Sequence, residues 1–336
     1  MKLLALLLLL AVAGLLGWGW AELNRPQTLP QPKVITVAPG STPAAVAQRL
    51  QQEGLLRHPR LWRLYARLRG LDRHLKAGEY ELSGTVTPLT ILGLLNSGRT
   101  RQYSVTIPEG WTYRQMLEHL WAQPHLKRTL ADEEAARIME RLGMPGMKPE
   151  GWFLPETYFY SSGMTDFDIL RRSHQAMKRL LSEAWETRQE NLPLKTPYEA
   201  LILASIVEKE TGAADERPMI AAVFINRLRR GMRLQTDPTV IYGMGDRYRG
   251  NIRKSDLRRD TPYNTYTRKG LPPTPIALPS ASSIRAVLHP AETRALYFVA
   301  SGGGRHHFSE TYEEHRKAVI RYLLGGNAAR YKGDRP

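Results

Sequence analysis

The chain contains no cysteine. It therefore has no disulfide framework, no zinc site with cysteine ligands and no thiol nucleophile. It also lacks a Walker A motif, a GxGxxG turn, a GxSxG elbow and an HExxH helix, which argues against the enzyme classes that depend on those motifs. His306, His307 and His315 have no carboxylate-rich partner at metal-ligand spacing. We expect no metal site and no cofactor.

Acidic residues are also scarce relative to basic ones. The sequence has 32 Asp and Glu against 48 Lys and Arg, a formal net charge of +16. Such an excess favours a polyanionic neighbour, which is nucleic acid, anionic lipid or an acidic polymer, without choosing among them.

The N-terminus lacks charge from Leu3 to Ala21. Nineteen helical residues span about 28 Å, close to the thickness of one bilayer core. Trp18 and Trp20 suit a membrane interface better than a signal-peptide cleavage site. We predict a retained anchor over residues 1–23, with a cleaved signal as the alternative. By default the N-terminus lies inside and the basic body outside, which argues against nucleic acid as a partner.

The remaining chain is predicted to be α+β. A Pro-rich linker covers 24–33, a small module of helices and strands covers 34–100, a larger mixed domain covers 104–325, and a basic tail covers 326–336. In the larger domain, apolar spacing predicts helices at 112–122, 130–142, 166–191, 197–211, 214–230 and 310–325. Residues 231–309 are poor in helix signals and rich in Gly and Pro, which is typical of loops that shape a cleft.

Glu208 lies in an apolar helical stretch, LILASIVEKETG, residues 201–212. Leu201, Ala204 and Ser205 share its helix face, whereas Glu210 is about 200° away. The small side chains should leave room beside the carboxyl. Burial disfavours an ionised carboxyl, so Glu208 could act as a general acid near neutral pH. Alternatively, it is a boundary residue paired with Lys209 or with an arginine from elsewhere.

Several longer motifs give these residues a context. They are IVEKET, EGWFLPETY (150–158), LQTDPTVIYG (234–243), TPYNTY (261–266), GLPPTPIALPSASSIRAVLHP (270–290) and FSETYEEH (308–315). In these motifs and their order, the whole chain resembles the endolytic murein transglycosylases of the MltG (YceG-like) family.

The resemblance implies a membrane anchor, a small LysM-like module and a catalytic domain. It also implies cleavage of the β-1,4 bond between N-acetylmuramic acid and N-acetylglucosamine. In this reaction the muramyl 6-hydroxyl replaces water and leaves a 1,6-anhydromuramyl end. By the match at IVEKET, Glu208 is the catalytic acid and then the base. One carboxylate suffices because the substrate supplies its own nucleophile, whereas glycoside hydrolases usually need two.

Polar and aromatic residues of the later motifs are predicted to line the glycan cleft, although each could instead stabilise a loop. They are Gln235, Asp237, Tyr242, Tyr263, Asn264 and Tyr266. Asp237 is the best candidate for a second carboxylate, but before Pro238 it could equally form a turn. Glu156 is either structural or faces the substrate.

The expected partners are peptidoglycan glycan strands, the bacterial inner membrane and, from the resemblance, peptidoglycan synthases. A non-catalytic membrane-tethered peptidoglycan-binding or scaffold protein is the second hypothesis. A membrane-attached nucleic-acid binder is the third, but the basic residues are scattered rather than gathered into a stripe with interleaved aromatics.

Overall fold

The computed structural model of the chain describes residues 2–331, and the chain divides into two compact units. The N-terminal unit comprises Met1–Ser104 with Phe159–Met164, and the C-terminal unit comprises Val105–Tyr158 with Thr165–Pro336. Helices and small two-stranded sheets are mixed along the chain. The α+β class predicted from the sequence is confirmed. Part of the predicted basic tail, residues 332–336, lies outside the described residues.

The N-terminal unit begins with α1, Lys2–Leu23. An 18-residue stretch of this helix has a mean hydropathy of 2.3, and the helix is long and apolar enough to cross a membrane. The elements that follow it are β1 (Gln27–Thr28), β2 (Lys33–Val37), α2 (Pro43–Gln52), α3 (Pro59–Leu68), β3 (Gly78–Leu82), β4 (Thr85–Val86), α4 (Pro88–Ser97) and β5 (Gln102–Thr106).

Two antiparallel strand pairs and three helices enclose the core of this unit. β1 pairs with β4, and β2 pairs with β3. Thr42 and Thr87 cap α2 and α4, each accepting a hydrogen bond from a backbone N–H of the first turn, which satisfies a donor that the helix leaves free. Trp62 and Tyr80 are fully buried in the core. The Trp62 ring nitrogen donates to the Pro88 carbonyl at 2.9 Å, so its polar atom is satisfied as well.

The C-terminal unit is mainly helical. Its elements are α5 (Tyr113–Trp121), α6 (Ala135–Arg141), the first two residues of β6 (Thr157–Ser161), α7 (Asp166–Glu186), α8 (Pro197–Glu210), α9 (Arg217–Arg229), α10 (Asp237–Met244), α11 (Lys254–Arg258), α12 (Ala281–Leu288), β7 (Tyr297–Gly302), β8 (Arg305–Ser309) and α13 (Tyr312–Tyr322). β5 pairs with β6, and β7 pairs with β8.

Helix α8 lies at the centre of the C-terminal unit. Every residue from Ala200 to Val207 is buried, and the helix packs against α7, α9, α10 and α12. A helix that is apolar on all sides is a core helix rather than an amphipathic surface helix. The sequence suggested that one face of α8 is apolar and buried, whereas the structure buries the helix on all sides.

Residues 231–309 hold more regular structure than the sequence predicted. Helices α10, α11 and α12 and the hairpin β7–β8 all lie there. The three helices are short, and α10 contains Pro238 in its first turn. A periodic pattern of eight residues or fewer, next to prolines, is too short to stand out from a loop. Helix α12 matters most, because serines at its start contact Glu208.

Candidate active site

Glu208 lies where α8 emerges from the core, in the last turn of the helix. Only 4% of its side chain is exposed. The space beside Ser205, which the sequence suggested was open, is filled by the chain itself. Ser205 Oγ accepts a hydrogen bond from the Ile276 backbone N–H at 2.9 Å and donates to the Ile202 carbonyl. The small side chains therefore let the 270–280 segment approach α8, rather than leaving room for a ligand.

Four donors surround the Glu208 carboxylate. Oε2 accepts from the Ser280 backbone N–H at 2.9 Å, from Ser280 Oγ at 2.5 Å and from Ser283 Oγ at 2.7 Å. Oε1 accepts from an Arg217 guanidinium nitrogen at 3.0 Å. Ser280 is also the N-cap of α12, where its hydroxyl accepts from the Ser283 N–H. The start of α12 thus holds one carboxylate oxygen, and Arg217 holds the other.

Arg217 joins Glu208 to a second carboxylate. The nitrogen that donates to Glu208 Oε1 also donates to Glu109 Oε2 at 3.2 Å. The other terminal nitrogen donates to the Ser280 and Ser282 hydroxyls. The Arg217 side chain is 8% exposed, whereas that of Glu109 is 52% exposed. The ion pair with Arg217 is the contact expected of a structural Glu208, and it equally suits a carboxyl whose charge changes during a reaction.

The loop that carries Glu109 is tied to the same segment. The Gly110 N–H donates to the Leu278 carbonyl at 2.9 Å, and the Leu278 N–H donates to the Trp111 carbonyl at 2.7 Å. Lys209 Nζ donates to the Gly110 carbonyl at 3.1 Å. Gly110 has a φ of +71°, and a Cβ placed there would lie 3.7 Å from Glu208 Cγ. The loop therefore runs directly against the Glu208 side chain.

Glu210 points into a different environment, which we call the Glu210 pocket. Its carboxyl accepts a hydrogen bond from the Thr236 hydroxyl. Burial raises the pKa of Glu210, and the nearby Asp237 charge raises it further. The pocket has a volume of about 370 Å³. It is lined by Glu210, Arg227, Leu234, Gln235, Thr236, Asp237, Tyr266, Tyr297, Phe298, Tyr312 and His315. Glu210 also borders the shallow depression at Glu208.

Three of the predicted substrate residues line the Glu210 pocket. Tyr266 donates its hydroxyl to Asp237 Oδ1 at 2.6 Å. Gln235 has a φ of +52°, and its side-chain oxygen accepts from Arg227 at 3.4 Å. Asp237 begins α10. The structure therefore brings Gln235, Asp237 and Tyr266 together, as residues meant for one ligand would require.

Tyr242 and Tyr263 form a separate pair beside Glu150. Their ring centroids are 4.9 Å apart. Tyr242 donates to Glu150 Oε2 at 3.1 Å, and the Tyr113 N–H donates to the other oxygen at 2.9 Å. Burial raises the pKa of Glu150 to about 7. Glu150 connects the start of α5 to α10, and sequence reasoning gave it no role.

The last two predicted residues lie apart from these groups. Asn264 is 1% exposed, and its side-chain amide donates to the carbonyls of Asp256, Leu257 and Arg259. It therefore holds the loop that carries Tyr263 and Tyr266. Glu156 is exposed, and its carbonyl accepts from the Ile107 N–H at 3.0 Å.

Sequence reasoning missed the partners of Glu208. Arg217 lies in a helix that was predicted without a role, and Glu109 lies just before the predicted helix at 112–122, in a segment to which the sequence assigned no role. The serines lie in PSASS, where a serine directly before a stretch with apolar spacing is a recognisable N-cap signal. Within residues 2–331, no group of three or more His, Asp or Glu side chains is placed to hold a metal ion.

Comparison with known families decides the relationship. A family model described as the YceG-like family matches residues 35–321. The chain belongs to the YceG-like family. The resemblance drawn from the motifs is thereby confirmed, and the match covers both units of this YceG-like chain.

Curated relatives of this YceG-like chain carry a common name. The endolytic murein transglycosylase of Bacillus subtilis (strain 168) is 29% identical over 310 residues, which cover 87% of this chain and 85% of that protein. The endolytic murein transglycosylase of Streptococcus pneumoniae serotype 2 is 29% identical over 357 residues, covering 95% of this chain and 64% of that protein.

A solved structure is similar as well. The crystal structure of a putative YceG-like protein from Listeria monocytogenes is 32% identical to this chain and matches with a TM-score of 0.54. The match covers 85% of this chain and 99% of that one.

Proposed function

We propose that this YceG-like protein is an endolytic peptidoglycan lytic transglycosylase. It cleaves the MurNAc-β-1,4-GlcNAc bond within nascent glycan strands, forms 1,6-anhydroMurNAc ends and so limits strand length. The names of the relatives support the class of enzyme. The observation that carries the proposal is the Glu208 carboxyl, which is almost fully buried yet borders a surface depression beside Arg217.

Glu208 acts first as an acid and then as a base. Its proton goes to the glycosidic oxygen while the bond from that oxygen to the muramyl C1 breaks. The muramyl 6-hydroxyl oxygen then bonds to C1, and its proton returns to Glu208. Arg217, the Ser280 N–H and the two serine hydroxyls stabilise the carboxylate that exists between these steps, because charge-assisted hydrogen bonds favour the ionised form.

The Glu210 pocket holds a sugar residue of the strand. Tyr266, Asp237 and Gln235 offer a ring for stacking together with polar atoms that suit hydroxyl and acetamido groups. Tyr242 and Tyr263 contact the glycan as a second aromatic pair. Asn264 acts indirectly, through the loop that it holds, and Glu156 supports substrate from its exposed position.

The protein works at the inner membrane. Helix α1, which is long and apolar enough to span a membrane, anchors it with the N-terminus in the cytoplasm and residues 24–336 on the outer side. Residues 34–100 are a LysM-like module that contacts glycan, and residues 104–325 form the catalytic domain with its cleft. The net charge of +16 favours binding to acidic wall polymer and to the anionic membrane surface. Peptidoglycan synthases are the partners expected from the substrate, which is their product.

The test compares the full-length protein with its Glu208→Gln variant on uncrosslinked glycan strands, with products read by mass spectrometry. We expect anhydromuramyl ends from the wild type and none from the variant. Glu118→Gln is the matched control, because Glu118 is an exposed glutamate on α5, and it should cut like the wild type.

Two outcomes would contradict the proposal. Products one water heavier, with reducing ends, would mean hydrolysis with a second carboxyl group. Binding of strands by both proteins without any cleavage would favour the membrane-tethered scaffold instead.

A further inference from the structure

Two carboxylates of the site share one guanidinium nitrogen. That nitrogen of Arg217 lies 3.0 Å from Glu208 Oε1 and 3.2 Å from Glu109 Oε2. The two oxygens are therefore no more than about 6 Å apart, near the separation found in glycosidases that use two carboxyl groups. Glu109 is the exposed member of the pair, so it faces the open side of the depression, where a sugar bound at Glu208 must lie.

Glu109 is held in place despite its exposure. Its neighbours Gly110 and Trp111 exchange two backbone hydrogen bonds with Leu278, and Lys209 donates to the Gly110 carbonyl. Arg217 fixes the carboxylate itself. A charged group held by its surroundings can stabilise a transition state without a cost of reorganisation.

The balance of charge shows what Glu109 does. With Glu208 protonated, the positive charge of Arg217 is matched by Glu109. When Glu208 gives up its proton, a negative charge appears on Glu208 and a positive charge develops at C1 of the sugar. The new charge on Glu208 then balances that of Arg217, so the charge of Glu109 is left to offset Lys209 and the positive charge at C1.

We propose that Glu109 is a second catalytic carboxylate, which contacts the muramyl residue and stabilises the positive charge that develops at its C1. The proposal rests on the proposed function. Glu109 exchanges no proton and forms no bond. The proton still passes from Glu208 to the glycosidic oxygen, and Glu208 still recovers one from the 6-hydroxyl, so no water enters the products.

The experiment measures kcat and KM for full-length protein carrying Glu109→Gln or Glu109→Asp. Glutamine keeps the oxygen that accepts from Arg217 but loses the charge, whereas aspartate keeps the charge. We expect Glu109→Gln to lower kcat by about 100-fold, the loss typical of one preorganised electrostatic group. KM should change little, and Glu109→Asp should recover a clear part of the rate. Glu118→Gln is the control, because Glu118 also pairs with an arginine but lies outside the site.

A binding measurement separates catalysis from substrate affinity. Strand affinity is compared between Glu208→Gln and Glu208→Gln with Glu109→Gln, neither of which should cut. Equal affinities support the proposal. An affinity loss as large as the loss in kcat would make Glu109 a binding residue and would overturn the proposal.

The result for the wild type keeps the two proposals apart. If the wild type forms no anhydromuramyl ends, the proposed function fails. If the wild type forms them and Glu109→Gln forms them equally fast, only the role of Glu109 fails.

Discussion

Glu208 and Glu210 are two residues apart on one helix and have opposite surroundings. Glu208 accepts from an arginine, a backbone N–H and two serine hydroxyls. Glu210 accepts from the Thr236 hydroxyl and lies near the carboxylate of Asp237. The Glu208 side chain is buried and Glu210 is partly buried. Within residues 2–331, only Glu208 has a positively charged side chain in direct contact. Helix geometry separates them, because residues two apart point in nearly opposite directions.

The difference shows which of the two carboxyl groups can ionise at a small cost in free energy. A carboxylate without a cation in contact is costly in a protein interior, so burial keeps Glu210 in its protonated form over a wider pH range. Glu208 has donors in place for its ionised form before any substrate arrives. A general acid that must become a base needs such a site, whereas a group that only donates or accepts a hydrogen bond to a sugar does not.

Arg217→Met should have the largest effect, because it removes the cation from the Glu208 site at similar side-chain volume. Breaking a buried ion pair at one partner costs about 3–5 kcal/mol of stability. We also expect kcat to fall at least about 100-fold, since the ionised Glu208 loses its charged donor. Chemical denaturation and rates of anhydromuramyl formation measure the two effects.

The double variant Arg217→Met with Glu208→Gln is the control for Arg217. It buries no unpaired charge, so it should regain much of the lost stability while staying inactive. If Arg217→Met alone were as stable as the wild type, the ion pair would have no energetic role, and the contrast with Glu210 would fail.

Glu210→Gln should raise the stability of the folded protein relative to the wild type, whereas Arg217→Met lowers it. Burial raises the pKa of Glu210 in the folded protein above its ordinary value of 4.5, so the folded state holds this proton more strongly than the unfolded chain. Wild-type stability therefore falls as pH rises from about 4.5 to the folded-state pKa. The variant cannot lose this proton. Its stability relative to the wild type should rise over that window and then level off.

Urea unfolding at several pH values measures this difference, with Glu118→Gln as an exposed control that should show no such rise. Glu210→Gln should leave kcat near that of the wild type, because the amide oxygen still accepts from Thr236, and its effect on activity should appear in KM, since Glu210 lines the proposed sugar pocket. A stability difference that does not change with pH would mean that Glu210 ionises as easily as an exposed carboxyl.

Sequence reasoning identified Glu208 but did not identify the side chains that contact it. Glu208 stood out because a carboxylate in an apolar helix is unusual and because IVEKET matched a family motif. Helices with long periodic patterns, such as α7, α8 and α9, were also predicted near their observed positions. These features depend on neighbours within one or two helical turns, which is the range that hydrophobic periodicity reports.

The partners of Glu208 could not be found in that way. Glu109 and Ser280 are far from Glu208 in sequence and reach it only through packing of α8 against α12 and the loop at Gly110. One sequence without covarying positions gives no sign of such contacts. The same limit applies to Asp237, the best candidate for a second carboxylate in the sequence, because the sequence gives no sign that Glu109 shares Arg217 with Glu208.

Tyr266→Phe should have the smallest effect and tests whether the Glu210 pocket binds a sugar. Burial raises the pKa of Tyr266, so its hydroxyl remains a donor to Asp237 at neutral pH. Phenylalanine keeps the ring but removes this hydrogen bond, which is worth about 1 kcal/mol. We expect KM for glycan strands to rise about fivefold, the equivalent of about 1 kcal/mol of binding, because Asp237 loses the donor that orients its carboxylate toward the sugar, while kcat changes little.

Tyr322→Phe is the matched control for Tyr266, because Tyr322 lies outside the residues that line the pocket. Its KM should equal that of the wild type. If Tyr266→Phe lowered kcat and left KM unchanged, the Glu210 pocket would act on the transition state rather than on binding. Glu208 and the Glu210 pocket would then both contribute to the chemical step, and their different surroundings would not separate catalysis from substrate binding.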